Sequence, residues 1–135
     1  MSIKENKALI LRFYDLYNQK KLDACYELWD SECILHTNTG NMTREQVKQF
    51  DAIVLNAFDA ICTVNNMIGE GDKVAFQVNA RATHTGSFMG VAPTGKKYEM
   101  NNTYIVRIKA NKIVELWGTT EIPLVMQQIG VKPPQ

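Results

Sequence analysis

The sequence lacks a strong excess of either charge, and this excludes two classes of partner. Fifteen lysines and arginines stand against fourteen aspartates and glutamates, which gives a formal net charge of +1 over 135 residues. Nucleic acids and anionic membrane surfaces are bound mainly through a large excess of basic residues. We therefore expect neither a nucleic acid nor a membrane as a partner.

Cysteines and long apolar runs are also scarce. The three cysteines, Cys25, Cys33 and Cys62, are an odd number with no close pair, which argues against a disulfide framework and against a zinc site. We expect reduced thiols, a cytoplasmic location and no bound metal. No segment approaches the roughly 18 consecutive apolar residues of a membrane span. The amino-terminal segment also lacks the small-residue cleavage site of a secretion signal.

The length and composition are those of one globular domain. The chain is 45% apolar and 21% charged, which is ordinary for a folded protein. A chain of this size buries about two-thirds of the surface that it exposes when unfolded. We expect a single domain over residues 1–135, with a core over about residues 5–130 and a frayed tail at 131–135.

The first third of the chain has the apolar spacing of helices. Apolar residues recur at helical spacing between residues 9 and 17, and a second, shorter helix with an apolar side ending at Trp29 is predicted after a polar break. The run from Thr43 to Gln46 fits a capping box, in which each side chain bonds the other residue's backbone N–H. This box predicts a third helix with an apolar face reaching Phe58.

From Ile61 onward the apolar period changes to two, which indicates strands. One strand places Val74, Phe76, Val78, Ala80, Ala82 and His84 on one face. A later strand places Tyr98, Met100, Asn102, Tyr104, Val106 and Ile108 on one face. A last strand is predicted over residues 112–120. Helices followed by antiparallel strands predict an α+β fold, with helices packed on one face of a curved sheet around a concave pocket.

Three stretches of the sequence resemble a known family. The string GSFMGVAPTGKK, from Gly86 to Lys97, is similar to the G-x-F-x-G-x-x-P-T-G-[KR] signature of SnoaL-like polyketide cyclases. The strings NQKKLDACYELW at 18–29 and KIVELWGTTE at 112–121 resemble motifs of the larger superfamily of nuclear transport factor 2 and ketosteroid isomerase. The resemblance implies a cone, in which helices close a strongly curved, mostly antiparallel sheet around an apolar cavity. It also implies a homodimer formed through the outer face of the sheet.

The resemblance further implies acid–base chemistry without a metal or an organic cofactor. In such cyclases a carboxylate removes a proton next to a carbonyl, and the resulting enolate closes a carbon–carbon bond. An apolar pocket serves this chemistry, because desolvation raises the pKa of a carboxylate toward the working pH. Glu121 stands where the motif places its catalytic aspartate, four residues after Trp117. Alternatively, Glu121 is a surface residue at the start of the last helix, where its charge favours the helix N-terminus.

The two histidines are further candidates. His36 resembles by position the catalytic aspartate of the isomerase, and histidine can act as a base near neutral pH. Its alternative role is a histidine at the pocket rim that bonds a carbonyl. His84 lies on the apolar strand face just before the signature loop, where it is either a satisfied core group or a ligand contact.

The remaining candidates are ligand contacts. By position, Tyr104 resembles an oxyanion donor of the isomerase, and a phenol can donate a hydrogen bond to an enolate. Asn102 lies on the same strand face as Tyr104, so it is predicted to contact the ligand as well. The alternative for Tyr104 is a tyrosine whose ring is buried and whose hydroxyl is bonded at the pocket edge. The other predicted ligand contacts are Trp117, Phe88, Met89, Met100 and Tyr14.

Two functions remain open from the sequence. One is a cofactor-independent cyclase or isomerase that acts on a small hydrophobic carbonyl compound. The other is a module that binds a hydrophobic ligand or forms a dimeric scaffold without chemistry. Leu116 stands where many relatives carry a histidine, which favours the binding module, whereas Glu121 favours the enzyme. Phe13 occupies the position of the isomerase's essential tyrosine, so we do not expect a steroid isomerase.

Overall fold

The computed structural model describes residues 2–119 and 122–130, so Glu121 and the predicted tail at 131–135 lie outside the described residues. Four helices and six strands occur in this part of the chain. In order they are α1 (Ile3–Asn18), α2 (Leu22–Tyr26), β1 (Trp29–Thr37), β2 (Gly40–Thr43), α3 (Arg44–Ala57), β3 (Phe58–Glu70), β4 (Lys73–His84), β5 (Lys97–Lys109), β6 (Lys112–Gly118) and α4 (Ile122–Gln128).

The six strands form one curved sheet in the order β2-β1-β6-β5-β4-β3. Neighbouring strands are antiparallel except β1 and β6, which are parallel. The register shifts within β3, between Asn65 and Ile68, and again where β5 meets β6, between Arg107 and Ile108. Such bulges bend a strand and increase its twist. The predicted α+β fold with a curved, mostly antiparallel sheet is therefore confirmed.

Helices α1 and α3 begin at capping boxes. The Thr43 hydroxyl accepts a hydrogen bond from the Gln46 N–H at 3.2 Å, and the Gln46 side chain accepts one from the Thr43 N–H at 2.9 Å, as predicted. Ser2 and Glu5 form a second box at the start of α1, which the sequence analysis missed. Within the described residues, no helix combines the length and the apolar character needed to cross a membrane.

Two predicted helix ends were wrong. Helix α2 ends at Tyr26, and Trp29 begins β1, where it pairs with Ile113 of β6. Helix α3 ends at Ala57, and Phe58 begins β3, where it pairs with His84. Short apolar runs fit a helix and a buried strand equally well, and pairing with a distant strand decides between them.

The predicted faces of the long strands are confirmed. On β4, the residues at 74, 76, 78, 80, 82 and 84 are buried, whereas the residues between them are half-buried or exposed. The inner face of β5 is likewise buried or half-buried from Tyr98 to Ile108. These faces form the concave side of the sheet, and the helices pack against it.

The buried core forms two clusters. In the first cluster, under α1 and α2, Phe13 stacks on Trp29 with ring centroids 5.9 Å apart. The second lies around Phe58 and includes side chains of α4. Leu55 and Cys62 are half-buried and pack against both clusters. The region between the clusters is therefore bordered by side chains that remain partly accessible.

Candidate functional site

All five tyrosines of the chain lie on the inner side of the fold. Helix α1 supplies Tyr14 and Tyr17, α2 supplies Tyr26, and β5 supplies Tyr98 and Tyr104. Burial raises the pKa of each phenol, so the hydroxyls stay protonated near neutral pH. Tyr14 and Tyr104 nevertheless keep some accessible surface. These groups therefore lie on the concave side of the sheet, which is called the interior below.

Helix α3 also carries a carboxyl group on its side toward the interior. Asp51 stands four residues after the buried Val47 and four before Leu55, so it lies on the inward face of the helix. Its Oδ2 accepts a hydrogen bond from the hydroxyl of Tyr26. Within residues 2–119 and 122–130, Asp51 has no other hydrogen bond and no ion pair, and it remains partly accessible. Its Oδ1 is therefore open to a bound molecule.

Burial changes the acidity of this carboxyl group. Desolvation raises the pKa of Asp51 to about 6, although the hydrogen bond from Tyr26 opposes the rise. A carboxyl group with such a pKa can both accept and return a proton near neutral pH. The geometry and the acidity of Asp51 therefore suit proton transfer to and from a bound molecule.

The surroundings of Asp51 contain no basic group among the described residues. Its charge raises the pKa of seven neighbours, which are Tyr14, Tyr17, Cys25, Tyr26, Cys62, Tyr98 and Tyr104. All seven are phenols or thiols. Described lysines and arginines are half-buried or exposed, and none is buried. The interior is therefore uncharged apart from Asp51.

Four of the predicted ligand contacts face this interior. These are Tyr14, Met100, Asn102 and Tyr104. A hydrogen bond from Asn102 opposes the rise in the pKa of Tyr104, while the buried Oδ1 of Asn102 has no partner. The ring of Tyr104 lies over Gly118, where an added Cβ would be 2.3 Å from the ring.

His36 and Trp117 lie on the outer face of the sheet, away from Asp51. Their neighbours Leu35 and Leu116 are buried on the inner face, so alternation turns His36 and Trp117 outward. The Nε2 of His36 lies 2.7 Å from Oε2 of Glu115, and its ring stacks on Trp117 at 5.5 Å. The structure therefore does not bring these two candidates together with the other inward-facing groups.

The signature loop folds over the second core cluster. His84 is fully buried, and the Thr94 N–H donates a hydrogen bond to its Nδ1 at 3.2 Å. Phe88 is buried against Phe58, with ring centroids 4.9 Å apart. Met89 is 64% exposed on the outside of the loop. His84 and Phe88 thus occupy the core, and Met89 points to solvent.

Comparison with known proteins agrees with this architecture. The family model of SnoaL-like polyketide cyclases matches residues 7–129. The chain belongs to this family. At the level of the family, this match supports a small-molecule cyclase- or isomerase-type function. A comparison with curated protein sequences gives no match.

Solved structures give the same result. The chain is similar to AclR, a proposed hydroxylase of Streptomyces galilaeus, with 27% identity and a TM-score of 0.89 over 98% of this chain and 100% of that one. It is similar to IdmH, a proposed polyketide cyclase of Streptomyces antibioticus, with 28% identity and a TM-score of 0.81 over 93% and 99%. A SnoaL-like protein of Jannaschia sp. CCS1 is 22% identical, with a TM-score of 0.83 over 98% and 97%, and shows the fold alone.

Two surface depressions of this SnoaL-like chain lie away from Asp51. One, of about 240 Å³, lies where Asn6 of α1 meets two hairpin turns. The other, of about 650 Å³, lies beside Arg81 and Glu99. Neither is bordered by Asp51.

The sequence analysis missed Asp51. The signal was present, because the spacing Val47, Asp51, Leu55 places a single acidic residue within an apolar helical stripe. The predicted helix face followed Val47, Phe50 and Val54 instead, and the acidic residue between them was passed over. An acidic residue on a buried helix face has to be explained by a partner or by a function.

Proposed function

We propose that this SnoaL-like chain is a cofactor-independent enzyme in which Asp51 removes a proton next to the carbonyl of a small hydrophobic compound. One observation carries the proposal: Oδ2 of Asp51 is held by Tyr26, while Oδ1 is open to an interior lined with protonated phenols. The family supports a small-molecule cyclase or isomerase in general. The assignment of the base to Asp51 is ours.

The proposed reaction begins with a proton transfer from carbon. The C–H bond next to the carbonyl breaks, the proton moves to Oδ1 of Asp51, and the electron pair enters an enolate. The phenol of Tyr104 or Tyr14 donates a hydrogen bond to the enolate oxygen, because both hydroxyls are protonated and face the interior. The enolate carbon then attacks a second carbonyl of the same molecule. Asp51 returns the proton to the alkoxide that forms.

Glu121 remains a second candidate for the base, supported by its place in the family motif. His36 has less support, because its ring bonds Glu115 on the outer face of the sheet. We propose Asp51 ahead of both. The cytoplasmic location also stays a prediction, since it rests on the three unpaired cysteines of the sequence.

The test follows the exchange of the α-hydrogens of 2-tetralone in D2O by mass spectrometry. This bicyclic ketone reports proton removal whatever the natural substrate is. The wild-type protein should accelerate exchange, and Asp51→Asn should lose about 100-fold or more of that acceleration. Asp59→Asn is the matched control, because Asp59 is an exposed acid on β3. Unchanged exchange in Asp51→Asn contradicts the proposal, and loss of exchange in Glu121→Gln alone assigns the base to Glu121.

The alternative function is a binding module without chemistry. Leu116 and Gly118 favour it, since they place no polar side chain where relatives carry them. In that case the protein would bind 2-tetralone without accelerating exchange. Binding can be followed by calorimetry on the same samples, so one set of proteins distinguishes the two functions.

We also propose that the chain forms a homodimer through the outer face of the sheet. An apolar row crosses four strands in register, formed by Ile68, Ala75, Ile105 and Trp117. Ile68 is 70% exposed and Ile105 is 43% exposed, which a second copy would cover. Light scattering should give the mass of a dimer for the wild type and of a monomer for Ile105→Glu. A monomeric wild type at high concentration contradicts this proposal.

A further inference from the structure

The carboxyl group of Asp51 has no cation beside it in the described structure. Six ion pairs occur among the described residues, and none includes Asp51. Glu115 shows the contrast, because Arg107 and His36 contact it and lower its pKa. An ionised carboxylate that is buried without a cation is unfavourable, and a bound cation would relieve this cost.

Aromatic rings extend along the interior in a continuous series. Tyr26 contacts Phe13 with ring centroids 5.3 Å apart, and Phe13 contacts Tyr14 at 5.0 Å. Tyr14 contacts Phe76 at 5.9 Å, and Phe76 contacts Tyr104 at 5.7 Å. The face of an aromatic ring attracts a cation within about 6 Å of its centroid. The protonated phenols also offer oxygen atoms that accept hydrogen bonds from an ammonium group.

From these observations we propose that the interior binds hydrophobic organic ammonium ions. The cation pairs with Asp51, and the apolar part of the ligand lies against the rings of Tyr14, Phe76 and Tyr104. Anions of the same shape are excluded, because Asp51 repels them and no lysine or arginine of the described residues faces them. This ligand class goes beyond the carbonyl compounds of the proposed function.

The inference shares Asp51 with the proposed function and does not depend on the removal of a proton from carbon. An ammonium ion can bind to a protein that fails to exchange 2-tetralone. A protein that exchanges 2-tetralone can likewise bind the ammonium ion no better than an anion. The two proposals therefore fail separately.

Calorimetry with three ligands of one ring system tests the inference. The ligands are 2-aminotetralin as the cation, 2-tetralone as the neutral compound and tetralin-2-carboxylate as the anion. At pH 7.5 the wild type should bind the cation at least tenfold more tightly than the anion. Asp51→Asn should weaken binding of the cation at least tenfold and leave binding of 2-tetralone within about twofold, whereas Asp59→Asn should change neither.

The pH dependence gives a second measurement that needs no variant. Binding of the ammonium ion requires ionised Asp51, so affinity should fall as the pH is lowered through about 6, the pKa of Asp51. The titratable groups that face Asp51 are Tyr14, Tyr17, Tyr26, Tyr98, Tyr104, Cys25 and Cys62, and all stay protonated over this range. The N,N,N-trimethyl derivative of 2-aminotetralin should bind with the same pH dependence, since it keeps the charge without an N–H.

Three results would overturn the inference. Equal affinity for the cation and the anion would contradict the proposed preference for cations. Tight binding of the cation to Asp51→Asn would contradict the assignment of Asp51 as the partner of the cation. Loss of binding in Asp59→Asn, with Asp51→Asn unaffected, places the cation on the outer surface of the sheet.

Discussion

The hydroxyl of Tyr26 donates a hydrogen bond to the carboxyl group of Asp51, across the contact between α2 and α3. Three residues earlier on each helix, Asp23 and Lys48 form an ion pair at 2.5 Å. Two side-chain contacts thus join α2 to α3. The exposed one is the ion pair of Asp23 with Lys48, and the inner one is the hydrogen bond of Tyr26 to Asp51. This double link fixes the orientation of Asp51 relative to the interior.

Replacement of Tyr26 by phenylalanine should change the pH dependence of the reaction. The hydrogen bond from Tyr26 lowers the pKa of Asp51, so its loss raises that pKa. The midpoint of the pH profile for 2-tetralone exchange should move up by about one to two units, since a hydrogen bond to a charged group contributes about 1.5–3 kcal/mol. Tyr98→Phe is the control, because Tyr98 does not bond Asp51. If the midpoint does not move in Tyr26→Phe, the hydrogen bond from Tyr26 does not set the pKa of Asp51.

Burial of Asp51 should cost stability at neutral pH. The pKa of Asp51 is raised from 3.8 to about 6 in the folded protein. The unfolded chain therefore ionises first, and the folded state loses stability as the pH rises from about 4 to about 6. Asp51→Asn removes this dependence and should be more stable than the wild type at pH 7, by about 3 kcal/mol. Urea unfolding at pH 4 and pH 7 measures the difference. If the wild type gains stability relative to the variant between pH 4 and pH 7, the raised pKa of Asp51 is contradicted.

The edge strand β3 should depend on Asn18. The side chain of Asn18 donates to the Cys62 carbonyl and accepts from the Cys62 N–H, both at 2.8 Å, so it satisfies both backbone groups of Cys62 at the edge of the sheet. Asn18→Ala should lower the free energy of unfolding by about 1–3 kcal/mol. Gln19→Ala is the matched control, because the Gln19 side chain bonds only the exposed Asp15. Equal stability of the two variants in urea would show that this link is unimportant.

A methyl group at position 118 should displace the ring of Tyr104. The added Cβ would be 2.3 Å from Cδ1 of Tyr104, so the ring has to move. Gly118→Ala should destabilise the protein by about 1–3 kcal/mol, which is typical of overpacking, and should slow 2-tetralone exchange. Tyr104→Phe keeps the ring in place and is the comparison. Full stability and full exchange in Gly118→Ala would exclude the close packing of Tyr104.

Local patterns predicted the parts of the fold that local forces determine. The faces of β4 and β5 follow from a period of two, and the start of α3 follows from the box at Thr43 and Gln46. The strand at Trp29 could not be predicted in this way. It pairs in parallel with β6, which lies about 80 residues later in the chain, and no local signal encodes that contact.

The candidate site was predicted only in part. Tyr14, Asn102 and Tyr104 face the interior because the helical and strand periods were assigned correctly. His36 turns outward because its neighbour Leu35 takes the inner face, which a family alignment by position does not reveal. Asp51 was missed because the predicted face of α3 followed Val47 and Phe50, while its contact with Tyr26 of another helix is not encoded locally.

Deuterium exchange of 2-tetralone by the wild type and by Asp51→Asn is the most direct test of the proposed chemistry. The role of Asp51 as the base predicts exchange above the buffer rate in the wild type and a loss of about 100-fold or more of that acceleration in Asp51→Asn. Both proteins should bind the ketone with similar affinity. Equal exchange rates in the two proteins, with binding intact, would contradict that role.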